Sequence, residues 1–394
     1  MSFGVLNNKN EFQKINLKIW TMENPLSDEI YQQRKIEKAH PIRGEYFRDQ
    51  TAIIHSMPFR RLKHKTQVFF APENDHVCTR IEHVLHVATI GATICKGLNN
   101  TGWNLNSEMA YAIGLGHDLG HSPFGHAGED ALNRKLNGEY NFIHEVNSLR
   151  IVDLLSNDGN GLNLTYGVRD GIINHNGEKI QQYLKPNNQV NNLELIKDRK
   201  SIASSYEGCI VRFSDKIAYL GRDIEDALVA GFIKIEDIPE KIRNEIGSSN
   251  GEIIDTLILD VIKTSKDTDE IRFSDEIFEK IQILQDFNYN QIYNHPSILK
   301  YKRMGEKILE EIFDYLLELY TNNGQVYEKY ISNDLEIDKK FGLYLLRYSS
   351  VYQNEGFIPK LIVCDYIAGM TDGYALEVYK QIKLPKPIHF KNNL

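Results

Sequence analysis

Along most of the chain apolar residues return every three or four positions, and polar breaks separate these stretches, which predicts helices almost throughout. Residues 79–98 place Val84, Val87, Ala88, Gly91, Ile94 and Cys95 at helical spacing. His83, one turn before Val87 on nearly the same face, points toward the interior. The next helix has Asn106 and Ser107 as cap residues and Glu108 in its first turn, then runs Met109-Ala-Tyr-Ala-Ile-Gly-Leu-Gly116. His117-Asp118 therefore falls at its C-terminal end, among small residues that let another helix pack closely. Residues 141–155 read as an amphipathic helix with His144 and Glu145 near its start. Residues 205–230 form a longer one, with Ile210, Val211, Phe213, Ile217 and Leu220 supplying apolar surface. Asp215, Tyr219 and Asp223, at i, i+4 and i+8, stack along one face of it. Segments 301–320 and 361–381 repeat the amphipathic pattern.

The breaks are Ser156–Leu162, a turn after the short apolar piece 171–177, an Asn- and Lys-rich surface loop over 184–200, Ser248–Gly251, His295-Pro296 and Asn322–Gly324. Strand alternation, a fixed-period repeat and a low-complexity linker are all missing, so an all-α chain with one main core is expected. Residues 1–40, with Trp20 and Pro25, read as a peripheral segment; 41–235 carry the chemistry; 236–394 continue as helices packed on the same core.

Composition changes this picture little: 41% apolar and 25% charged residues are ordinary for a globular protein. No apolar run nears the roughly eighteen residues of a membrane span, and the N-terminus has no basic-then-apolar signal pattern. Cysteines 78, 95, 209 and 364 form no CxxC pair, so neither a zinc knuckle nor a disulfide framework is indicated and a cytoplasmic location is expected. A net charge of −8 argues against a general nucleic-acid binder, but a local basic cluster or a metal recruits phosphates even in an acidic protein. One such cluster is Arg60-Arg61-Leu62-Lys63-His64-Lys65, flanked by aromatics; it reads as a phosphate site or as a solvated helix face.

Candidate chemistry concentrates in Gly114–Asp130, which holds His117, Asp118, His121, His126 and Glu129 between closely spaced glycines. Imidazole and carboxylate together are the ligand set of hydrolytic divalent-metal sites. A carboxylate on a buried helix face must be neutralised or bound to a cation, which makes Asp215 a further candidate ligand. Taken singly, each histidine also reads as a packed core residue.

Five blocks in the same order carry a resemblance to the dGTP triphosphohydrolase (dNTPase) group of HD-domain metal phosphohydrolases. They are Phe59-Arg-Arg-Leu62 with Lys65-Thr-Gln-Val-Phe69, Thr79-Arg-Ile-Glu-His83, His117-Asp-Leu-Gly-His-Ser-Pro-Phe-Gly-His126, Asp215-Lys-Ile-Ala-Tyr-Leu-Gly-Arg-Asp223 and Asp365-Tyr-Ile-Ala-Gly-Met-Thr-Asp372, and the match spans Arg43 to Tyr379. The resemblance implies an all-α HD-domain bundle with peripheral helices, over 41–235, that hydrolyses a dNTP to deoxynucleoside and inorganic triphosphate. It implies a divalent ion (Mn, Fe, Mg, Ni or Zn) on His83, His117, Asp118 and Asp215, with His126 catalytic and Glu129 orienting it. It implies that His121, His144 and Lys216 lie near the triphosphate, that Tyr219 and Asp223 hold the deoxyribose, and that Gln67 and Arg80 contact base or phosphate. A homo-oligomer, tetramer or hexamer, and an allosteric nucleotide belong to the same expectation.

The chain departs from the family pattern at Val84 and His86, usually Ser and Glu, and at His144-Glu-Val-Asn147, where many bacterial members have His-Asn-x-Gln. Another HD-superfamily nucleotide phosphatase or phosphodiesterase, a non-catalytic nucleotide sensor and a single-stranded nucleic-acid binder using residues 60–65 are the competing readings. Base preference and native metal stay open.

Overall fold

The computed structural model describes residues 21–37, 42–69, 77–176 and 180–384, so Trp20 and most of the N-terminal segment lie outside the described residues. The principal helices are α1 (Glu45–Ile54), α2 (Arg80–Asn99), α3 (Ser107–Gly116), α4 (His126–Leu136), α5 (His144–Arg150), α6 (Tyr166–Asn174) and α7 (Tyr206–Val229). They continue with α8 (Asn250–Ser265), α9 (Asp275–Asn288), α10 (Pro296–Asn323), α11 (Glu336–Arg347), α12 (Pro359–Ala368) and α13 (Asp372–Lys383). The fold is all-α; among the described residues the extended structure is a two-residue antiparallel pair, Tyr183–Leu184 with Ile271–Arg272, and isolated bridges.

Local chemistry sets the helix starts. Thr79 and Glu82 form a reciprocal capping box on α2. The Asn106 side chain accepts from the backbone N–H groups of Glu108 and Met109 at the start of α3. The Ser205 hydroxyl accepts from Gly208 N–H at the start of α7. Helix α2 packs on both α3 and α7, and Gly114 makes the first crossing close: a Cβ there would lie 2.6 Å from the Ala88 Cα. The small residues of 110–116 thus bring His83 and His117 within one ring contact of each other, 5.3 Å between centroids.

Two apolar clusters make up the interior. One joins α1–α3 and α5–α9 around Ile53, Val87, Ile94, Ile113, Ile172, Val211 and Leu257. The other joins α4 to α10–α13 around Phe124, Leu132, Leu309, Phe313, Phe341 and Ile362. The seam between them is tied by polar bonds. Arg150 grips Asp365 of α12 through Nε and Nη2, at 2.9 and 2.7 Å to Oδ1 and Oδ2, and also pairs with Glu355. Asp372 accepts from the backbone N–H groups of Thr66 and Phe124.

One local expectation needs correction. Segment 171–177 reads from sequence as a short piece before a turn, but residues 166–174 are helix α6, because Ile172 and Ile173 bury fully on the first cluster. Segment 141–155 is helical from His144 to its end, α-helical to Arg150 and widened into a π-helix over Ile151–Leu155.

Candidate metal centre

Three helices deliver the ligand candidates: α2 carries His83, the end of α3 carries His117 and Asp118, and α7 carries Asp215. His83 Nε2 lies 3.0 Å from Asp215 Oδ1 and 4.0 Å from Asp118 Oδ2. His117 Nε2 lies 3.5 Å from Asp118 Oδ1 and 3.9 Å from Asp215 Oδ1. The His117 Nδ1–H donates to the Gly114 carbonyl at 2.7 Å, which fixes the tautomer and turns the lone pair of Nε2 toward the carboxylates. That Nε2 is buried and has no hydrogen-bond partner among the described residues.

The protonation states suit a cation. Burial lowers the His117 pKa and drives that of His121 well down, with Arg80 adding to the latter, so both rings are neutral. Burial opposes ionisation of Asp118 most strongly, yet His121, His117 and Arg80 together hold its carboxyl well below the usual carboxylate range. Burial likewise opposes ionisation of Asp215, and Lys216 and His83 outweigh it. Neutral imidazoles facing ionised carboxylates are the form that ligates a divalent metal, and the orphaned His117 Nε2 fits such an ion. His83, His117 and Asp215 would hold it with Asp118.

Around these four lie the remaining sequence candidates. Arg80 Nη1 donates to Asp118 Oδ2 at 2.7 Å, and His121 Nε2 is 3.2 Å from Asp118 Oδ1. His121 stacks on His144 with ring centroids 3.8 Å apart, and His126 meets both edge-on at 5.4 and 5.7 Å. His126 opens to solvent; the protein crowded about its other edges, and next the His144 charge, lower its pKa to about 4. With water at one edge, the direction, toward the neutral ring, is what bears on its chemistry. Lys216 Nζ reaches Asp215 Oδ2 at 3.2 Å and stands 5.2 Å over the Tyr219 ring. Asp223, one turn on, accepts from the Tyr293 hydroxyl at 2.5 Å, and burial pushes its pKa up to about 7. Gln67 sits on the loop beside Gly125 and is half-buried.

Glu129 bonds residues other than His126: its oxygens accept from His144 Nδ1 at 2.8 Å and from Arg199 Nη2 at 2.6 Å, while its charge also faces His126. Arg199 also donates to Glu145 at 2.9 Å. Arg199 lies in the 184–200 segment whose polar composition marks it as surface, and nothing in its spacing signals the contact. His175 was missed too. Buried, and bonded through Nδ1 to the Ile172 carbonyl, it meets His117 edge-on at 4.8 Å. Its sequence signal was the Ile-Ile-Asn-His run, a histidine closing an apolar turn.

Comparison with known proteins accords with this geometry. An HD domain matches residues 80–220, and a phosphohydrolase-associated domain matches 271–341 and 345–381. The helical bundle and its His/Asp cluster thus place the chain in the class of HD-domain phosphohydrolases. A deoxyguanosinetriphosphate triphosphohydrolase-like protein of Caldanaerobacter subterraneus subsp. tengcongensis is 39% identical over 91% of this chain and 90% of its own. Proteins with the same description from Desulfatibacillum aliphaticivorans and Rickettsia felis are 37% and 33% identical, over 90% of this chain and 92% and 96% of theirs. The chain belongs to this family of deoxyguanosinetriphosphate triphosphohydrolase-like proteins.

Proposed function

We propose that the protein hydrolyses deoxynucleoside triphosphates to deoxynucleoside and intact inorganic triphosphate, using a divalent ion on His83, His117, Asp118 and Asp215. One observation carries this reading. Gln67 Oε1, Arg80 Nε, His117 Nε2 and His121 Nδ1, all on metal- or substrate-side positions, are buried polar atoms without a hydrogen-bond partner among the described residues. Buried polar groups are rarely left unpaired in a folded protein, so a cluster of them marks where a polar ligand binds.

A bound ion would lower the pKa of a coordinated water and offset charge developing at phosphorus. The protein's own residues supply the rest. Arg80, His121, Lys216 and a protonated His144 neutralise the polyphosphate. His144 is suited to this: burial opposes its charge, but Glu145 and Glu129 lift its pKa to about 9. His126, neutral and open to solvent, accepts the proton of the water that attacks the α-phosphorus and returns it to O5′ as the Pα–O5′ bond breaks. The Tyr219 ring, with Asp223 held by Tyr293, forms the wall on which a 2′-deoxyribose rests and against which a 2′-hydroxyl collides.

The test is incubation with each dNTP and each NTP, with Mn²⁺, Mg²⁺ or no metal, and Asp118→Ala as control. Inorganic triphosphate from dNTPs alone, lost in Asp118→Ala, supports the proposal and reads out base preference. Pyrophosphate or orthophosphate would reassign the chain to a different HD phosphatase or phosphodiesterase. No turnover, even with a second nucleotide added as activator, would make it a sensor.

A further inference from the structure

Helix α7 carries a cation that the metal centre does not use. Arg212 stands one turn before Lys216, and Tyr219 and Asp223 follow on the same face, since steps of four, three and four residues keep helical side chains within about 40° of one another. Arg212 is half-buried. Burial lowers its pKa, and the Cys209 thiol and Glu145 act the other way. No hydrogen bond or ion pair holds its guanidinium among the described residues. Glu145 is committed elsewhere, to Arg199 at 2.9 Å and His144 at 3.4 Å. Burial drives the Cys209 pKa up, which keeps that thiol neutral. A guanidinium stays charged at any ordinary pH, so leaving one half-buried and unpaired is costly. A second cation, Lys216, lies four residues on and repels it. Such an arrangement suits an anion that arrives from solution.

A second unclaimed donor lies on the same side. Asn176 is buried, and its Nδ2 has no partner among the described residues. It follows His175, which offers a ring nitrogen within 4.8 Å of a Glu145 oxygen, and Glu145 is the acid that faces Arg212. The order of residues along α7 says which anion belongs here. In the proposed function Tyr219 and Asp223 take the sugar, and the ion at Asp215 takes the α-phosphate with Lys216 beside it. Arg212 lies a further turn, about 6 Å, toward the start of α7 and away from the sugar. A polyphosphate running that way from the ion brings its far phosphate to Arg212. Arg212 and Lys216 also line one narrow opening of about 10 Å³, walled by Leu184 and Phe273. That is room for about one water, so it admits phosphate oxygens and excludes a base.

We propose that Arg212 grips the terminal phosphate of the nucleoside triphosphate and so selects triphosphates over diphosphates. Its place at the far phosphate rests on the nucleotide lying as in the proposed function. Calorimetric titration of the full-length protein with inorganic triphosphate and with pyrophosphate, each with excess Mg²⁺, reads the contact without turnover. Wild type should bind triphosphate more tightly than pyrophosphate. Arg212→Gln should lose roughly tenfold or more on triphosphate, as the loss of a charge-assisted contact does, and little on pyrophosphate. The variant should melt no lower than wild type, because it removes an unpaired charge. In turnover it should raise KM for a dNTP by a similar factor and leave kcat nearly unchanged, since the terminal phosphate is held alike before and during the reaction. Equal losses on the two anions, no saturable triphosphate binding by wild type, a fall in kcat without a rise in KM, or a lower melting temperature would each overturn the proposal. If wild type turned over no dNTP, a triphosphate preference lost in Arg212→Gln would still support the contact, so failure of the proposed function would be seen separately.

Discussion

His144 faces Glu129 through Nδ1 at 2.8 Å and Glu145 at 3.4 Å. Its pKa rises from 6.5 to about 9 in the fold, so charging it stabilises the folded state. That contribution is complete below the unfolded value of 6.5 and is lost as pH rises through about 9. Burial works against Glu145, but His144, His175 and Arg199 bring its pKa down from 4.5 to about 2, so its share is present above 4.5 and fades as pH falls toward 2. The stability gap between wild type and His144→Gln, from urea unfolding, should be widest between about pH 4.5 and 6.5 and shrink as pH passes 9. A gap that widens above pH 9 would contradict the assignment. Gly120 is the second test at this scale. A Cβ there would meet the Ser148 nitrogen at 2.2 Å and the His144 carbonyl oxygen at 2.3 Å, both backbone atoms that cannot swing aside. Gly120→Ala should cost about 2–4 kcal/mol by chemical denaturation and weaken metal binding, because the loop carrying Asp118 and His121 must lift off α5. Gly120 shows what a sequence reveals here: closely spaced glycines predict a tight approach, but not which backbone approaches. The partner of Glu129 was illegible for the same reason, since Arg199 arrives from a segment 70 residues away with no periodicity of its own.

At the level of elements, apolar spacing in 79–98 and 205–230 and the Asn106 cap placed α2, α3 and α7, and with them the candidate ligands, because amphipathic faces specify which way His83 and Asp215 point. Short apolar pieces beside turn residues were harder, as α6 shows: its length comes from what it packs against. The bond between α5 and α12 was likewise invisible, being a pairing of one Arg among many with one Asp. Asp365 is buried and Arg150 nearly so, so Arg150→Met should destabilise the fold by about 3–5 kcal/mol, leaving the carboxylate uncompensated. Replacing both partners, as Arg150→Met with Asp365→Leu, should recover much of that loss, measured by the same denaturation. A double variant no more stable than the single would show that the pair is not what joins the two clusters.

For the molecule as a whole, the division of the interior into two clusters gives the loop carrying Asp118 and His121 a neighbour on each side: α2 and α7 carry the candidate ligands His83 and Asp215, while Asp372 and Lys65 fasten the loop to the second cluster. Among the described residues no helix is long and apolar enough to cross a membrane. Leu343 and Leu346 on α11, Val326 and Ile331 are exposed, and the resemblance leads to the expectation of a homo-oligomer. Light scattering should return four or six times the 45.5 kDa chain mass; a single chain mass would remove the oligomer expectation. Most directly at stake is attack at the α-phosphorus by a water activated at the His83, His117, Asp118 and Asp215 cluster. Turnover of a dNTP with Mn²⁺ in ¹⁸O-labelled water, with both products analysed by mass spectrometry, decides it. The account predicts one ¹⁸O in the inorganic triphosphate, none in the deoxynucleoside, and no product from Asp118→Ala or Asp215→Ala. Label in the deoxynucleoside, or turnover that survives loss of either aspartate, would contradict it.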